Sequence, residues 1–425
     1  MKKKSIIIMN LLIILAIISI NINVYAVSID SSSFKNSIKS VNSYMESNIN
    51  YNNSDYLDTI LDSNGNVPAY TSYPNKVNSR GISTLKAYNG KIFMGLGDWD
   101  ANTGPVKILY YDTKDNKIKS SGTIADEAVE NFTIIDDNLY TTGCDPKSTW
   151  GYGSYYKYND KDNKWEQHEN QNGWIHVFNI TKFNNKIFMC GSTQKDHSPI
   201  QASNDNGKTF ENISICKYSK QIPIDENTRC YNLYSFNNNL YGFFWSYNEQ
   251  TKTNSKYDGI YQYDKTSNQF NYIAEIPSTY LPQTSAVYRF SKSSVFNGNF
   301  VFVAGYNLYS TTDFKTFNKL SFPAPIITAP TPISYVLNPY VYQNSLVIDD
   351  TLYVLAYKNN ADAKENRKFK VQIHTTKDLK KFQLFYEFET NTPPFSFEYY
   401  DKSFYIGTYL GSSNKTDSKT NRKFI

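Results

Sequence analysis

Three arginines are the residues whose type and spacing point most directly to chemistry. The chain of 425 residues contains five arginines, and Arg80, Arg229 and Arg289 each stand 12 or 13 residues before the end of a recurring strand phrase. A guanidinium group presents a planar fork of donors that matches a carboxylate. Equivalent positions for the three therefore predict a clamp for an anionic ligand, such as an acidic sugar. The alternative is that each arginine pairs with a nearby carboxylate or backbone carbonyl and holds neighbouring repeats together.

Aromatic and histidine side chains form a second group of candidate ligand-binding residues. Trp99 and Trp150 lie in polar loops beside amides and carboxylates. This combination suits the binding of sugar rings, and the same residue types occur in ordinary loops of a chain with 37 tyrosines. We expect His176 and His197 to face the same region. For His176 the alternative is an inner-strand histidine with a satisfied hydrogen bond.

Asp98, Asp100 and Asn102 alternate along one loop in the manner of calcium ligands. Oxygen ligands at alternate positions can converge on a hard cation. The residue eleven positions after Asp98 is Leu109, which excludes an EF-hand because that motif needs a bidentate glutamate there. The loop is either a calcium site or a self-capped turn. No CxxC or Cys/His spacing predicts zinc, so calcium is the one cofactor that the residues suggest.

Four cysteines allow two disulfides in three connectivities. We predict a Cys216–Cys230 bond, which would close one polar loop, and a Cys144–Cys190 bond between similar positions of consecutive repeats. The alternative for the second pair is two buried thiols.

A phrase that occurs seven times must position these residues: a tight polar turn followed by a short apolar or aromatic strand. Its copies are spaced 47 to 60 residues apart and end at Phe93, Tyr140, Phe188, Tyr241, Val301, Tyr353 and Tyr405. A period near fifty residues, built from short strands, is typical of radial repeats of four-stranded blades. The 37 tyrosines and 26 phenylalanines also favour strands. The sequence therefore predicts an all-β chain folded as a seven-bladed β-propeller, with six blades as the alternative.

Each predicted blade has four strands, named a to d from the axis outward. The repeated polar turn joins a to b as in a hairpin, and a second polar turn joins c to d. Six c–d turns accompany seven a–b turns, so we expect the seventh blade to be completed by residues 67–73 or 423–425. The b–c loops and d–a connections share one face of such a fold, and this face should carry the candidate site.

One c–d turn has a recognisable motif. Ser203 to Phe210 reads Ser-Asn-Asp-Asn-Gly-Lys-Thr-Phe and matches the Asp-box at every defining position. Thr311 to Phe317 and Thr376 to Phe382 are similar but one residue shorter. The Asp can accept backbone hydrogens within the turn, Gly takes a positive φ, and the aromatic residue packs beneath. The chain thus resembles the Asp-box (BNR-repeat) propellers, which include sialidases and sortilin-type receptors.

The resemblance to sialidases implies particular roles for several residues. The three arginines would clamp the ligand carboxylate, and the acid/base, nucleophile and carboxylate partner would be Asp98 or Asp100, Tyr340 or Tyr342, and Glu211 or Glu226. The sequence departs from sialidases in two respects. Arg80 lacks the Phe/Tyr-Arg-Ile/Leu-Pro context, and sialidase propellers have six blades.

The ends of the chain and its charge predict an extracellular protein. Residues 1–26 combine a basic start, an apolar stretch and a small-residue cleavage site, as a secretory signal peptide does. Residues 27–65 predict an extension with one short amphipathic helix, and residues 66–425 the propeller. Removing the signal leaves a formal charge of +2, which gives no electrostatic reason to bind nucleic acid. No later stretch is long and apolar enough to span a membrane.

Two functional hypotheses follow. The first is a secreted propeller that recognises an extracellular glycan or other anionic ligand on its b–c/d–a face, with or without sialidase-like chemistry. The second is a non-catalytic propeller that binds a protein partner through its loops. The residues leave open whether the chain is an enzyme.

Overall fold

The computed structural model of the protein describes fourteen segments of the chain, and every structural statement below concerns these segments. They are residues 81–97, 104–147, 151–169, 173–193, 198–218, 220–221, 228–248, 253–254, 258–277, 292–305, 307–323, 340–359, 369–390 and 393–408.

The described residues form 29 β-strands and no helix. The first twelve are β1 (Thr84–Tyr88), β2 (Lys91–Gly95), β3 (Val106–Asp112), β4 (Lys117–Ile124), β5 (Asp126–Ile135), β6 (Asn138–Pro146), β7 (Ser154–Asn159), β8 (Lys164–Glu169), β9 (Trp174–Phe183), β10 (Lys186–Thr193), β11 (Ile200–Ser203) and β12 (Glu211–Asn212). The next seven are β13 (Ser214–Lys217), β14 (Lys220–Gln221), β15 (Thr228–Phe236), β16 (Asn239–Asn248), β17 (Thr253–Asn254), β18 (Gly259–Asp264) and β19 (Gln269–Ala274). The last ten are β20 (Ser293–Phe296), β21 (Asn299–Ala304), β22 (Asn307–Thr311), β23 (Asn318–Leu320), β24 (Val341–Ile348), β25 (Thr351–Asn359), β26 (Phe369–Thr376), β27 (Gln383–Thr390), β28 (Pro394–Tyr400) and β29 (Ser403–Thr408).

These strands form seven repeating antiparallel units. Six units have four strands each: β1–β4, β5–β8, β9–β12, β15–β16–β18–β19, β20–β23 and β24–β27. The seventh has the two strands β28 and β29. In the fourth unit, β13 adds a parallel strand outside β19. The predicted all-β class is therefore confirmed.

All seven units begin with a hairpin whose loop has two residues. The loops are residues 89–90, 136–137, 184–185, 237–238, 297–298, 349–350 and 401–402. In six of them both residues have positive φ, as at Asn184 (48°) and Asn185 (62°). Two-residue loops of this kind match the right-handed twist of the flanking strands. The hairpin predicted for each repeated phrase is confirmed.

The hydrophobic core lies mainly between neighbouring units. Phe93 of the first unit packs on Phe132 and Trp165 of the second, with ring centroids 6.1 and 5.7 Å apart. Tyr234 of the fourth unit packs on Phe300 of the fifth at 5.0 Å. Such aromatic pairs need large faces of adjacent sheets to stack. Tyrosine and phenylalanine side chains thus pack in layers between neighbouring units.

The last unit lies beside the first. The Ile82 N–H donates to the Thr408 carbonyl (3.1 Å), and Lys86 on β1 pairs with Glu398 on β28 (3.0 Å). Strand β28 also contacts β24 of the sixth unit. The strands that start the first four units follow one another in space, since β1 contacts β5, β5 contacts β9, and β9 contacts β15.

The c–d turn of the third unit has the local geometry expected for its motif. The Asp205 carboxylate accepts hydrogen bonds from the backbone N–H groups of Lys208 (3.0 Å) and Thr209 (2.9 Å). Gly207 has φ +86°, and Phe210 is buried beneath the turn. In the two shorter turns, Asp313 and Asp378 accept backbone hydrogens in the same way, as in Thr316 N–H to Asp313 and Lys381 N–H to Asp378.

Several predicted segments lie outside the described residues. They are the signal peptide (1–26), the extension with its helix (27–65) and the stretches proposed to complete the last unit (67–73 and 423–425). Among the described residues no helix has the length and apolar character of a membrane span.

Candidate functional site

The side chains of Cys144, Asp145 and His176 meet at one end of the second and third units. Cys144 and Asp145 lie near the end of β6, and His176 lies near the start of β9. The two strands pair directly at Cys144 and His176. This is the open end of the hairpins, opposite to the two-residue loops. In the second unit, for example, β5 begins and β6 ends there.

The three side chains contact one another closely. The Cys144 Sγ is 3.2 Å from the His176 Nδ1 and 3.3 Å from the Asp145 Oδ2. The Asp145 Oδ1 is 3.2 Å from the same His176 Nδ1. The thiol is fully buried, whereas the imidazole and the carboxylate are 11% and 17% exposed. A thiol, an imidazole nitrogen and a carboxylate, each in contact with the other two, are thus largely shielded from solvent.

The local backbone is adapted to this meeting point. Asp145 has φ +56°, a left-handed conformation that aspartate tolerates better than most residues. Gly191 on β10 lies beside the start of β9, where a Cβ atom would be 1.9 Å from the carbonyl oxygen of His176. A register shift between Cys190 and Gly191 marks a bulge at this position. Glycine is therefore needed for the close approach that presents His176.

Buried acidic groups surround the cluster. Asp126 at the start of β5 is fully buried, and its carboxylate accepts a hydrogen bond from the Tyr156 hydroxyl. Burial, together with the charges of Asp145 and Glu127, raises the pKa of Asp126 to about 7 against the lowering effect of the Tyr156 hydrogen bond. Glu127 is also buried and pairs with Lys147 (2.5 Å). Lys147 thus offsets the charge of Glu127, and Asp145 is the carboxylate in direct contact with Cys144 and His176.

Arg229 lies at the same end of the next unit. It is the second residue of β15 and stands opposite Ser192 of β10 and Trp245 of β16. Its guanidinium carbon is 5.9 Å from the Trp245 ring, and its Nη1 donates to the Tyr231 hydroxyl (3.4 Å). Within the part of the chain that the structure describes, its buried Nε has no hydrogen-bond partner.

A row of stacked rings connects Arg229 with the cysteine cluster. The Tyr231 ring stacks on Phe178 with centroids 4.6 Å apart, and Phe178 stacks on the His176 imidazole at 5.3 Å. The structure therefore brings together two of the predicted ligand-binding residues, Arg229 and His176, at one rim. Cys144 and Asp145 were not predicted as members of this group.

The predicted tyrosine nucleophiles lie elsewhere, within the core of the sixth unit. Tyr342 is fully buried, and its hydroxyl accepts a hydrogen bond from the Phe322 N–H (2.9 Å). Tyr340 is 7% exposed, and burial raises its pKa. A nucleophile is activated by an adjacent general base or by a lowered pKa, and burial of the Tyr340 hydroxyl acts against the second of these. Glu211, the predicted partner, is exposed on β12 next to the c–d turn of the third unit.

The structure forms neither of the two predicted disulfides, since none of the four cysteines is joined in a disulfide. Cys144 contacts His176 instead of Cys190. The Cys190 thiol is within hydrogen-bonding reach of Cys230, and burial followed by this contact raises its pKa. Cys216 donates to Gln269 (3.4 Å) on β19. The prediction from loop length is corrected by strand pairing, which places β10 beside β15 and β13 beside β19.

The remaining predicted site residues lie outside the described residues. They are Arg80, Asp98, Trp99, Asp100, Asn102, Trp150, His197, Glu226 and Arg289. The calcium loop, the complete arginine clamp and the tryptophans of the loops therefore stay predictions.

A comparison with models of protein families gives no match, and a comparison with curated proteins gives none of significance.

Proposed function

We propose that this chain is a secreted seven-bladed β-propeller that binds an anionic extracellular ligand, such as an acidic glycan, at the rim containing Arg229. The seven units would be the blades, with β1, β5, β9, β15, β20, β24 and β28 as inner strands. The contacts from β1 through β5 and β9 to β15, and the pairing of the last unit with the first, support this arrangement. Radial closure also removes exposed sheet edges.

The observation that carries the binding proposal is the environment of Arg229. Its guanidinium faces the Trp245 ring, contacts the Tyr231 hydroxyl and has a buried Nε without a hydrogen-bond partner among the described residues. A carboxylate can take up such donors, and an aromatic ring beside them can cover the apolar face of a sugar. Arg80 and Arg289 would complete the clamp under the predicted register.

Binding is favoured over sialidase-like catalysis. Tyr342 is enclosed by the core with its hydroxyl engaged by Phe322, and the pKa of Tyr340 is raised by burial. Neither environment favours attack by the hydroxyl on a substrate. A fluorogenic sialoside should therefore not be turned over, and turnover would show that the catalytic hypothesis is the better one.

A glycan array tests the binding proposal directly. The purified chain should bind glycans that carry carboxylate or sulfate groups. Arg229→Ala should weaken this binding by about 10- to 100-fold, the range for one charge-assisted hydrogen bond. Arg229→Lys keeps the positive charge but removes the planar guanidinium group, so it shows which of the two the ligand needs. Lys315→Ala is the control, because it removes a charge from an exposed turn at the opposite end. Equal binding by Arg229→Ala, or no glycan binding at all, would favour the protein-interaction alternative.

A further inference from the structure

We propose that Cys144, Asp145 and His176 form a binding site for a zinc ion. The site does not depend on the proposed anionic ligand, because its donors belong to β6 and β9 and not to Arg229. Its donors are also different residues from those of the predicted calcium loop at residues 98–102.

The donor geometry fits a small tetrahedral cation. The Cys144 Sγ and the His176 Nδ1 are 3.2 Å apart, and each contacts a different oxygen of Asp145: Oδ2 is 3.3 Å from the Sγ, and Oδ1 is 3.2 Å from the Nδ1. Donors around tetrahedral zinc, at about 2.3 Å for sulfur and 2.0–2.2 Å for nitrogen or oxygen, are about 3.3–3.6 Å apart. One ligand atom from each of the three residues can be chosen so that all three lie within 4.8 Å of one another. A rotation of the Asp145 carboxylate that turns one oxygen towards both other donors would complete the coordination.

The kinds of donor decide which metal is expected. A thiolate and an imidazole are soft or intermediate ligands and suit zinc better than calcium or magnesium, which prefer oxygen. Three protein donors plus water form the usual arrangement of an accessible zinc site. On binding, the Cys144 thiol loses its proton to solvent and the Sγ–Zn bond forms.

The fold holds these donors before any ion arrives. Direct strand pairing fixes Cys144 opposite His176. The His176 ring stacks on Phe178 at 5.3 Å, which sets its plane. Donors held on paired strands lose little freedom when a metal binds.

A nucleophilic cysteine is the competing interpretation of the same three residues. A Cys–His–Asp relay requires the thiol and the carboxylate to contact different ring nitrogens. Here both contact the His176 Nδ1. Cys144 is moreover only 1% exposed, which leaves little room for a substrate at the sulfur.

Metal binding to the chelator-treated, tag-free chain tests the proposal. Calorimetry should find one equivalent of zinc. Zinc K-edge X-ray absorption should find one sulfur among the ligands, and cobalt should give a thiolate charge-transfer band. No zinc binding, or a site without sulfur, would overturn the proposal. Two sulfurs would place the ion at the Cys190–Cys230 pair and overturn it equally.

Variants locate the ion. Cys144→Ser and His176→Gln should each weaken zinc binding by about 100-fold or more, because loss of a supporting residue alone typically costs 10–100-fold. Asp145→Asn keeps a residue that tolerates positive φ, so it should fold normally and still bind more weakly. Cys216→Ser and Cys190→Ser are thiol controls, and they and Arg229→Ala should retain the zinc. Unchanged affinity in Asp145→Asn and Cys144→Ser would refute the assignment.

Discussion

Aspartates at the two ends of the repeating units differ in burial and in the direction in which their pKa values are shifted. At the c–d turns, Asp205 is partly exposed and Asp313 and Asp378 are exposed, and hydrogen bonds within the turn hold the pKa values of all three below the usual range. At the opposite end Asp126 is buried, and its pKa is raised to about 7. Carboxylates at the turns thus stabilise their own loops. The buried carboxylates are retained at a cost to stability, as is common where side chains are positioned for chemistry.

The most severe test of this contrast is Gly191→Ala. The added Cβ would be 1.9 Å from the His176 carbonyl oxygen, and backbone at a bulge cannot withdraw without disturbing the pairing of β9 and β10. We expect a loss of about 3 kcal/mol or more in the free energy of unfolding, measured by urea denaturation.

Gly153→Ala is the matched control for this substitution. Its Cβ would be 3.3 Å from the Ile175 carbonyl oxygen, so a small adjustment suffices, and a loss of no more than about 1 kcal/mol is expected. Equal stability of the two variants would mean that the close approach of Gly191 to the His176 carbonyl is not required for the fold at this end of the hairpins.

Asp126→Asn sharpens the comparison through pH. The folded-state pKa of about 7 is higher than the ordinary value of 3.8, so the contribution of Asp126 is fully present below pH 3.8 and is lost as pH rises through 7. Between pH 5 and pH 8 the wild type should lose roughly 2–3 kcal/mol through this group. Both proteins are measured without zinc, by urea denaturation at the two pH values. The free energy of unfolding of Asp126→Asn should not show that loss. A variant with the same pH dependence as wild type would show that Asp126 ionises in the fold as it does in water.

His374 provides a check on the sign of this effect. It is 4% exposed on β26 and stacks on Phe322 at 3.6 Å, and burial lowers its pKa to about 4. Its contribution is present above pH 6.5 and is lost as pH falls towards 4. His374→Leu should therefore reduce the loss of stability between pH 7.5 and pH 5 by about 2 kcal/mol, in the opposite direction to Asp126→Asn.

Local signals in the sequence were enough to predict the hairpins and the turn at Asp205. Asn184-Asn185 before an apolar run specifies a tight loop from its own residues, and the pairing of Phe183 with Lys186 confirms it. Contacts between side chains on different strands depend instead on the register of pairing between residues that are far apart in the sequence. Cys144 and His176 are 32 residues apart, and bulges shift the register of both hairpins.

The same limit explains the cysteines and the arginines. Sequence separation suggested bonding Cys216 to Cys230, whereas strand order places Cys190 beside Cys230. Equal spacing before each repeat correctly placed His176 and Arg229 at one end of their hairpins, because both lie near the beginning of the first strand of a unit. A cysteine ending one hairpin, followed by a histidine starting the next, is the signal that could have revealed the zinc ligands.

The smallest expected effect is at the turn end, in Asp205→Ala. This change removes the acceptor for the Lys208 and Thr209 backbone N–H groups and for the Thr209 hydroxyl (2.7 Å). We expect Tm to fall by a few degrees near neutral pH, and the deficit to shrink below pH 4, since the lowered pKa makes this contribution disappear on acidification. Asp162→Ala is the control, because Asp162 accepts from the Asn159 side chain in another turn. Zinc affinity should not change in either variant. A weakened zinc site in Asp205→Ala would mean that the two ends are coupled through β10 and β11, and the separation of roles argued from their aspartates would no longer hold.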